Sequence, residues 1–65
     1  MNLTVNGESF ELGGADVPAL VQQLGAVSEH VAIMLNNAIV PREEWDNASL
    51  TEGDYVEVLT FAAGG

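Results

Sequence analysis

The side chains of residues 1–12 alternate between apolar and polar, as in strands that bury one face. The alternation runs over residues 1–5, stops at Asn6-Gly7 and resumes over residues 8–12, where Phe10 and Leu12 share a face. Asn-Gly is the dipeptide best suited to the type I′ turn that joins two antiparallel strands. The sequence therefore predicts an N-terminal β-hairpin.

The next segment has the period of a helix. Asp16 is a good N-cap, and Pro18 suits the first turn, where its missing N–H costs nothing. Gly25 is a natural residue to end the helix. Between them, apolar residues recur at i, i+3, i+4 and i+7, namely Val17, Leu20, Val21 and Leu24. We expect one amphipathic helix that begins near Asp16 and ends near Gly25, followed by a loop that contains His30.

The second half of the chain predicts three more strands. Residues 31–35 are all apolar, which favours an interior strand. Residues 38–40 form a short strand after a turn at Asn36-Asn37. Residues 42–50 have too little periodicity for a full helix and predict a helical turn or an irregular lid. Residues 55–61 alternate again and predict the last strand.

A single helix packed across one mixed sheet is the simplest architecture for this order of elements, and it makes an α+β domain. In the last strand Val56 and Val58 share one parity. If they face the helix, Leu59 and Phe61 lie on the opposite face of the sheet, with Met34 beside them. We interpret Leu59, Phe61 and Met34 as a partner-binding surface, because a protein that must be recognised keeps apolar surface exposed. The alternative for each is ordinary packing.

Composition limits the possible functions. The 65 residues are enough for one domain, and ten acidic residues against one arginine give a net charge of −9, which repels nucleic acid. With no Cys and one His, we expect no metal site. No apolar run is long enough to cross a bilayer and no signal sequence is present, which predicts a cytoplasmic protein. The acidic residues either form a solvated surface or attract a basic partner, and only attraction weakens as salt is added.

Side chains suited to catalysis are scarce. The chain has no Cys, and the single His30 has no sequence-local catalytic constellation to join. No phosphate-binding glycine motif is present either, so we expect no enzyme activity and no bound cofactor. Residues 62–65 are instead small and uncharged, and glycine lets another protein approach the backbone closely. We therefore predict a domain over residues 1–61 and a flexible Gly-Gly tail over 62–65 that can thread a narrow channel. The alternative is a frayed terminus.

Three motifs in the second half of the chain carry a family resemblance, and the resemblance covers nearly the whole chain. They are the segment LNNAIVPREEW at residues 35–45, the Glu52-Gly53-Asp54 turn and the Ala63-Gly64-Gly65 ending. In these motifs the sequence resembles the ThiS family of bacterial thiamine-biosynthesis sulfur carriers. The spacing Asn-x-x-x-Val-Pro-Arg-x-x-Trp is the more specific part, whereas a Gly-Gly ending is shared across ubiquitin-like carriers. The resemblance implies the ubiquitin-like β-grasp fold, in which one main helix packs across a mixed sheet.

The same resemblance implies that the protein is a cosubstrate of other enzymes. A ThiF-like adenylyltransferase would use ATP to activate the carboxylate of Gly65 as an acyl-adenylate, and sulfur would then replace the adenylate. The resulting thiocarboxylate would donate sulfur to a ThiG-like thiazole synthase that builds the thiazole ring of thiamine. Gly65 is then the sulfur attachment site, and Gly64 is its spacer.

Three alternatives stay open. The chain is a sulfur carrier for another pathway, such as molybdopterin synthesis, tRNA thiolation or cysteine synthesis; a ubiquitin-like modifier attached to target lysines; or an acidic interaction domain whose glycines have no role. Removal of Gly65 separates the interaction domain from the others, because only a binding domain would keep its function without that residue.

Overall fold

The structure, a computed structural model, describes residues 1–61 of the chain. Its strands and helix, in chain order, are β1 (Asn2–Val5), β2 (Glu8–Glu11), α1 (Val17–Leu24), β3 (Val31–Leu35), β4 (Ala38–Val40) and β5 (Tyr55–Thr60). Two 3-10 segments, Ser28–His30 and Arg42–Asn47, lie between them. The tail predicted at residues 62–65 lies outside the described residues.

The strands form one mixed sheet in the order β2-β1-β5-β3-β4. β1 and β2 are antiparallel, as are β3 and β4, in agreement with the two hairpins expected from the turn residues. β5 lies in the centre, parallel to β1 and antiparallel to β3. One main helix on a mixed sheet confirms the predicted α+β class, and it leaves β5 as the strand that both halves of the sheet share.

Both hairpins turn through residues with positive φ. In the first turn φ is 51° at Asn6 and 84° at Gly7, and in the second it is 50° at Asn36 and 73° at Asn37. Two successive residues with positive φ are the mark of a type I′ turn, which Asn and Gly adopt at little cost because their steric restrictions are mild. The turn prediction at Asn6-Gly7 is therefore confirmed.

Local signals set both ends of α1. Asp16 precedes the helix, and its Oδ1 accepts a hydrogen bond from the Ala19 N–H at 3.0 Å. At the other end Gly25 has a φ of 73°, and its N–H donates to the Gln22 carbonyl at 3.0 Å. These contacts satisfy backbone groups that the helix leaves unpaired. The helix bounds predicted from Asp16 and Gly25 are confirmed.

The core lies between α1 and one face of the sheet, which we call the inner face. Residues 42–47 adopt the predicted helical turn and pack beside α1, with Trp45 buried and its Nε1–H donating to the Val40 carbonyl at 3.0 Å. The buried apolar side chains are Leu3, Val5, Leu12, Val17, Leu20, Val21, Val31, Ile33, Trp45, Leu50 and Val56. We call the opposite face of the sheet the outer face.

A carboxylate fixes the turn that leads into β5. Asp54 accepts hydrogen bonds from the Thr51 N–H at 2.9 Å, the Thr51 hydroxyl at 3.0 Å and the Asn36 Nδ2–H at 3.2 Å. The bond from the Thr51 N–H is the main cause that lowers the pKa of Asp54 below its usual value; burial opposes it, and the two side-chain donors add to the lowering. The ionised form of Asp54 therefore favours the folded state.

We expect Asp54→Asn to lower the free energy of unfolding at pH 7 by about 0.5 to 1.5 kcal/mol, the usual net value of such hydrogen bonds. Since the pKa of Asp54 is lower in the folded than in the unfolded state, its contribution is complete above about pH 4 and disappears as the pH falls through the folded-state pKa. Urea denaturation of both proteins at pH 7 and pH 3 should show the difference shrinking at pH 3. An equal difference at both pH values would contradict a role for the charge.

Candidate functional site

The end of β5 is the part of the described chain closest in sequence to the predicted tail. Beyond the strand, the Phe61 N–H donates to the His30 carbonyl at 2.7 Å, so the last described residue is still tied to the beginning of β3. His30 itself, expected in a loop, ends the 3-10 turn that precedes β3. The end of β5 therefore has a fixed position in the sheet, beside the beginning of β3.

The outer face carries the side chains predicted to bind a partner. Val56 is fully buried on the inner face, whereas Leu59 is 46% exposed and Phe61 is 58% exposed. Leu59 is opposite Ala32 of β3. The predicted parity of β5 is confirmed, because its alternation continues without a bulge from the buried Val56 to the exposed Leu59. A partner-binding role for these side chains remains a prediction.

Met34 and a neighbour extend this surface across the sheet. Met34 of β3 is half-buried and lies opposite Glu57 of β5 on one side and Ile39 of β4 on the other. Ile39 is 67% exposed, the highest value among the large hydrophobic side chains described as exposed in residues 1–61. Sequence reasoning did not single out Ile39, although the Asn36-Asn37 turn fixes its pairing with Met34. We call Ala32, Met34, Ile39, Leu59 and Phe61 the outer apolar patch.

The outer apolar patch is suited to contact with another protein. It spans strands β4, β3 and β5, and its members come from alternate positions of each strand, so they point to one side of a rigid sheet. Small monomers seldom expose grouped large apolar side chains unless the group binds something. Phe61, the member of the patch nearest the C-terminus, is also the last described residue. The predicted site residues Gly64 and Gly65 lie outside the described residues.

A second concave region lies on the helix side of the domain. A surface groove of about 450 Å³ lies beside the contact between α1 and the 3-10 segment Arg42–Asn47, and its walls include Gln22, Ser28, Arg42 and Trp45. The Arg42 guanidinium lies 5.2 Å from the centre of the Trp45 ring. This is a cation–π contact. Arg42 forms no ion pair with the described residues, since the single ion pair in residues 1–61 joins the Met1 amine to Glu11.

Two kinds of site are not found in the part of the chain that the structure describes. Within residues 1–61, His, Asp and Glu side chains form no group that could hold a metal ion. Over the same range, no helix has the length and hydropathy needed to span a bilayer.

Comparison with known proteins identifies the family. The sequence matches the ThiS family over residues 3–65. This chain belongs to the ThiS family. It is 30% identical to the sulfur carrier protein ThiS of Escherichia coli (strain K12), and the match covers the whole length of both proteins. The family predicted from residues 35–45 and the Gly-Gly ending is confirmed.

Solved structures of the ThiS family have the same fold. The crystal structure of the thiamine biosynthesis protein ThiS from Geobacter metallireducens is 40% identical in sequence to this chain and has a TM-score of 0.82. The match covers 100% of both chains. The NMR structure of a thiamine biosynthesis protein from the same organism is 39% identical and has a TM-score of 0.80, with 100% of this chain and 88% of that chain covered. The β-grasp fold implied by the resemblance is confirmed.

Other similar proteins are larger. The chain is 35% identical to thiazole synthases of Paramagnetospirillum magneticum and Magnetococcus marinus, and in each case the match covers all of this chain. It spans 20% of the length of those two proteins. A segment similar to this ThiS-family chain is therefore part of proteins that are named thiazole synthase.

Proposed function

We propose that this chain carries sulfur for thiamine biosynthesis as a thiocarboxylate on Gly65. The observation that carries the proposal is the family match, which extends through residue 65 and aligns the chain with the whole of the sulfur carrier protein ThiS of Escherichia coli. The fold supports it, because β5 carries Leu59 of the outer apolar patch and ends at Thr60, close in sequence to Gly65. The patch and the tail residues then serve one purpose: docking presents the carboxylate to a partner.

The chemistry requires activation before sulfur can enter. A carboxylate is a poor electrophile, so one of its oxygens must first become part of a good leaving group. In the proposed sequence a Gly65 oxygen attacks the α-phosphorus of ATP, pyrophosphate leaves and an acyl-adenylate forms. A sulfide equivalent from a donor then attacks the carbonyl carbon, AMP leaves and the thiocarboxylate remains. ATP binds to the partner adenylyltransferase, and we assign no bound cofactor to the carrier.

A thiazole synthase is the proposed acceptor of the sulfur. Support comes from the two thiazole synthases of which a segment similar to this chain forms 20%, since a carrier joined to a synthase works beside it. The present chain would act as a cosubstrate, not a catalyst. We place both reactions in the cytoplasm, where ATP is available. Of the alternatives, a sulfur carrier for another pathway would share the Gly65 chemistry, and a protein modifier would instead form an amide with a target lysine.

Reconstitution tests the proposal directly. The carrier is incubated with the adenylyltransferase of its own organism, ATP and a sulfide donor, and its intact mass is followed. The expected result is exchange of one oxygen for one sulfur, located by fragmentation at Gly65. Addition of the thiazole synthase and its other substrates should return the mass to its original value. Sulfur on any other residue, or no sulfur, would refute the carrier mechanism; sulfur retained in the presence of the synthase would refute the choice of acceptor.

We expect Leu59→Asp and Phe61→Asp to weaken the complex with the adenylyltransferase by at least about tenfold, because each places an unpaired charge in an apolar contact that binding removes from water. Both side chains are exposed, so the melting temperature should change little. Thr60→Asp is the matched control: Thr60 is exposed on the same strand, has the opposite parity and gains the same charge. Titration calorimetry measures the affinity. An equal loss in Thr60→Asp would show that charge, and not the outer apolar patch, determines docking.

A further inference from the structure

The side chain of Asn6 takes the place of a strand residue beside β5. Backbone pairing between β1 and β5 covers Thr4 with Tyr55 and Val5 with Val56. The Asn6 N–H then donates to the Val56 carbonyl at 2.9 Å. Two residues further along β5, the Asn6 side chain pairs with Val58. Its Oδ1 accepts a hydrogen bond from the Val58 N–H at 2.8 Å, and its Nδ2–H donates to the Val58 carbonyl at 3.3 Å.

The turn explains why a side chain makes this pair. Because φ is 51° at Asn6 and 84° at Gly7, the backbone bends away from β5 to begin the hairpin, and β1 offers Val58 no further peptide group. A carboxamide has the same donor and acceptor as a peptide unit, so the Asn6 side chain extends the ladder by one residue. Within residues 1–61, these are the last hydrogen bonds that β5 receives from the β1 side.

We propose that Asn6 is a positioning residue for the reaction at Gly65. On the β3 side, β5 is paired as far as Thr60, and Phe61 bonds to His30. On the β1 side, among the described residues, the Asn6 carboxamide alone bonds to the segment of β5 that carries Leu59. Hydrogen bonds on both edges of this segment fix the end of β5, the part of the described chain nearest in sequence to Gly65. The inference rests on the proposed function, since it assigns Asn6 a part in presenting Gly65 to the adenylyltransferase.

Asn36 provides a matched control at the other end of β5. Its φ is 50°, its N–H donates to the Tyr55 carbonyl at 2.7 Å, and its Oδ1 accepts from the Tyr55 N–H at 3.0 Å. It also donates to Asp54, so its side chain makes at least as many hydrogen bonds as that of Asn6. The two asparagines therefore brace β5 by the same chemistry, one at its beginning and one near the tail.

The experiment compares Asn6→Gly with Asn36→Gly. Glycine accepts positive φ freely, so each variant removes the carboxamide without straining the turn. Hydrogen exchange should speed up about tenfold at the Val58 amide in Asn6→Gly and at the Tyr55 amide in Asn36→Gly, as expected for loss of one hydrogen bond. Pyrophosphate release by the adenylyltransferase is then measured against carrier concentration, at a temperature where both variants are folded.

We expect Asn6→Gly to lower kcat about tenfold with KM within about threefold of the wild type, because docking survives while the carboxylate is presented less often in reactive geometry. Asn36→Gly should keep kcat within about twofold despite an equal or greater loss of stability. Equal kcat losses in the two variants, or an unchanged kcat in Asn6→Gly, would overturn the positioning role alone. A wild-type carrier that releases no pyrophosphate would overturn the proposed function and the positioning role together.

Discussion

A chain without Gly65 is expected to take up no sulfur when it is incubated with the adenylyltransferase, ATP and a sulfide donor. The deletion moves the terminal carboxylate back to Gly64, about 3.5 Å along the backbone, and reacting atoms must lie within about 3 to 3.5 Å of each other to react. Folding should be unaffected, because the buried core residues lie between Leu3 and Val56. Intact mass reports the sulfur, and the melting temperature reports the fold.

Gly65→Ala separates the position of the carboxylate from the need for glycine. This variant keeps a free carboxylate at residue 65 and adds one methyl group, so it should take up sulfur more slowly than the wild type but measurably. A C-terminal extension, which turns the Gly65 carboxylate into an amide, should block uptake as fully as the deletion. Sulfur uptake by the deleted or the extended chain would mean that the reactive group lies elsewhere.

Elements with local signals were predictable from the sequence. The bounds of α1 follow from Asp16 and Gly25, since a cap acts within one turn of the helix and leaves its mark on the residues beside it. The Asn6-Gly7 turn and the parity of β5 follow in the same way, because both depend on neighbouring residues. Of the candidate site, Leu59, Phe61 and Met34 were found by parity, and their contact with a partner is still to be measured.

Features that depend on sheet order were not predictable. The carboxamide of Asn6 bonds to Val58, 52 positions further along the chain, and nothing near Asn6 indicates which strand lies beside it. The pairing of Ile39 with Met34 follows from the local Asn36-Asn37 turn, but the position of β4 at the edge of the sheet, with β3 between it and β5, depends on sheet order. Periodicity identifies the faces of a strand, whereas its neighbours are set by tertiary structure.

Ile33→Ala is expected to unfold most of the protein at room temperature or to bring it close to its midpoint. Ile33 is fully buried in the centre of β3, and truncation of a buried Ile to Ala costs about 2 to 5 kcal/mol. A core of this size supplies only about 3 to 5 kcal/mol of net stability. Urea denaturation followed by far-UV circular dichroism measures the loss, with the wild type as reference.

Ile39→Ala is the matched control, because it removes the same atoms from a strand of the same sheet. Ile39 is 67% exposed on the outer face, so its truncation should cost less than about 1 kcal/mol. Ile39→Ala should nevertheless bind the adenylyltransferase more weakly than the wild type, although it stays folded. Equal destabilisation by the two variants would mean that the outer apolar patch is part of the core, and the docking role of that face would then fail with it.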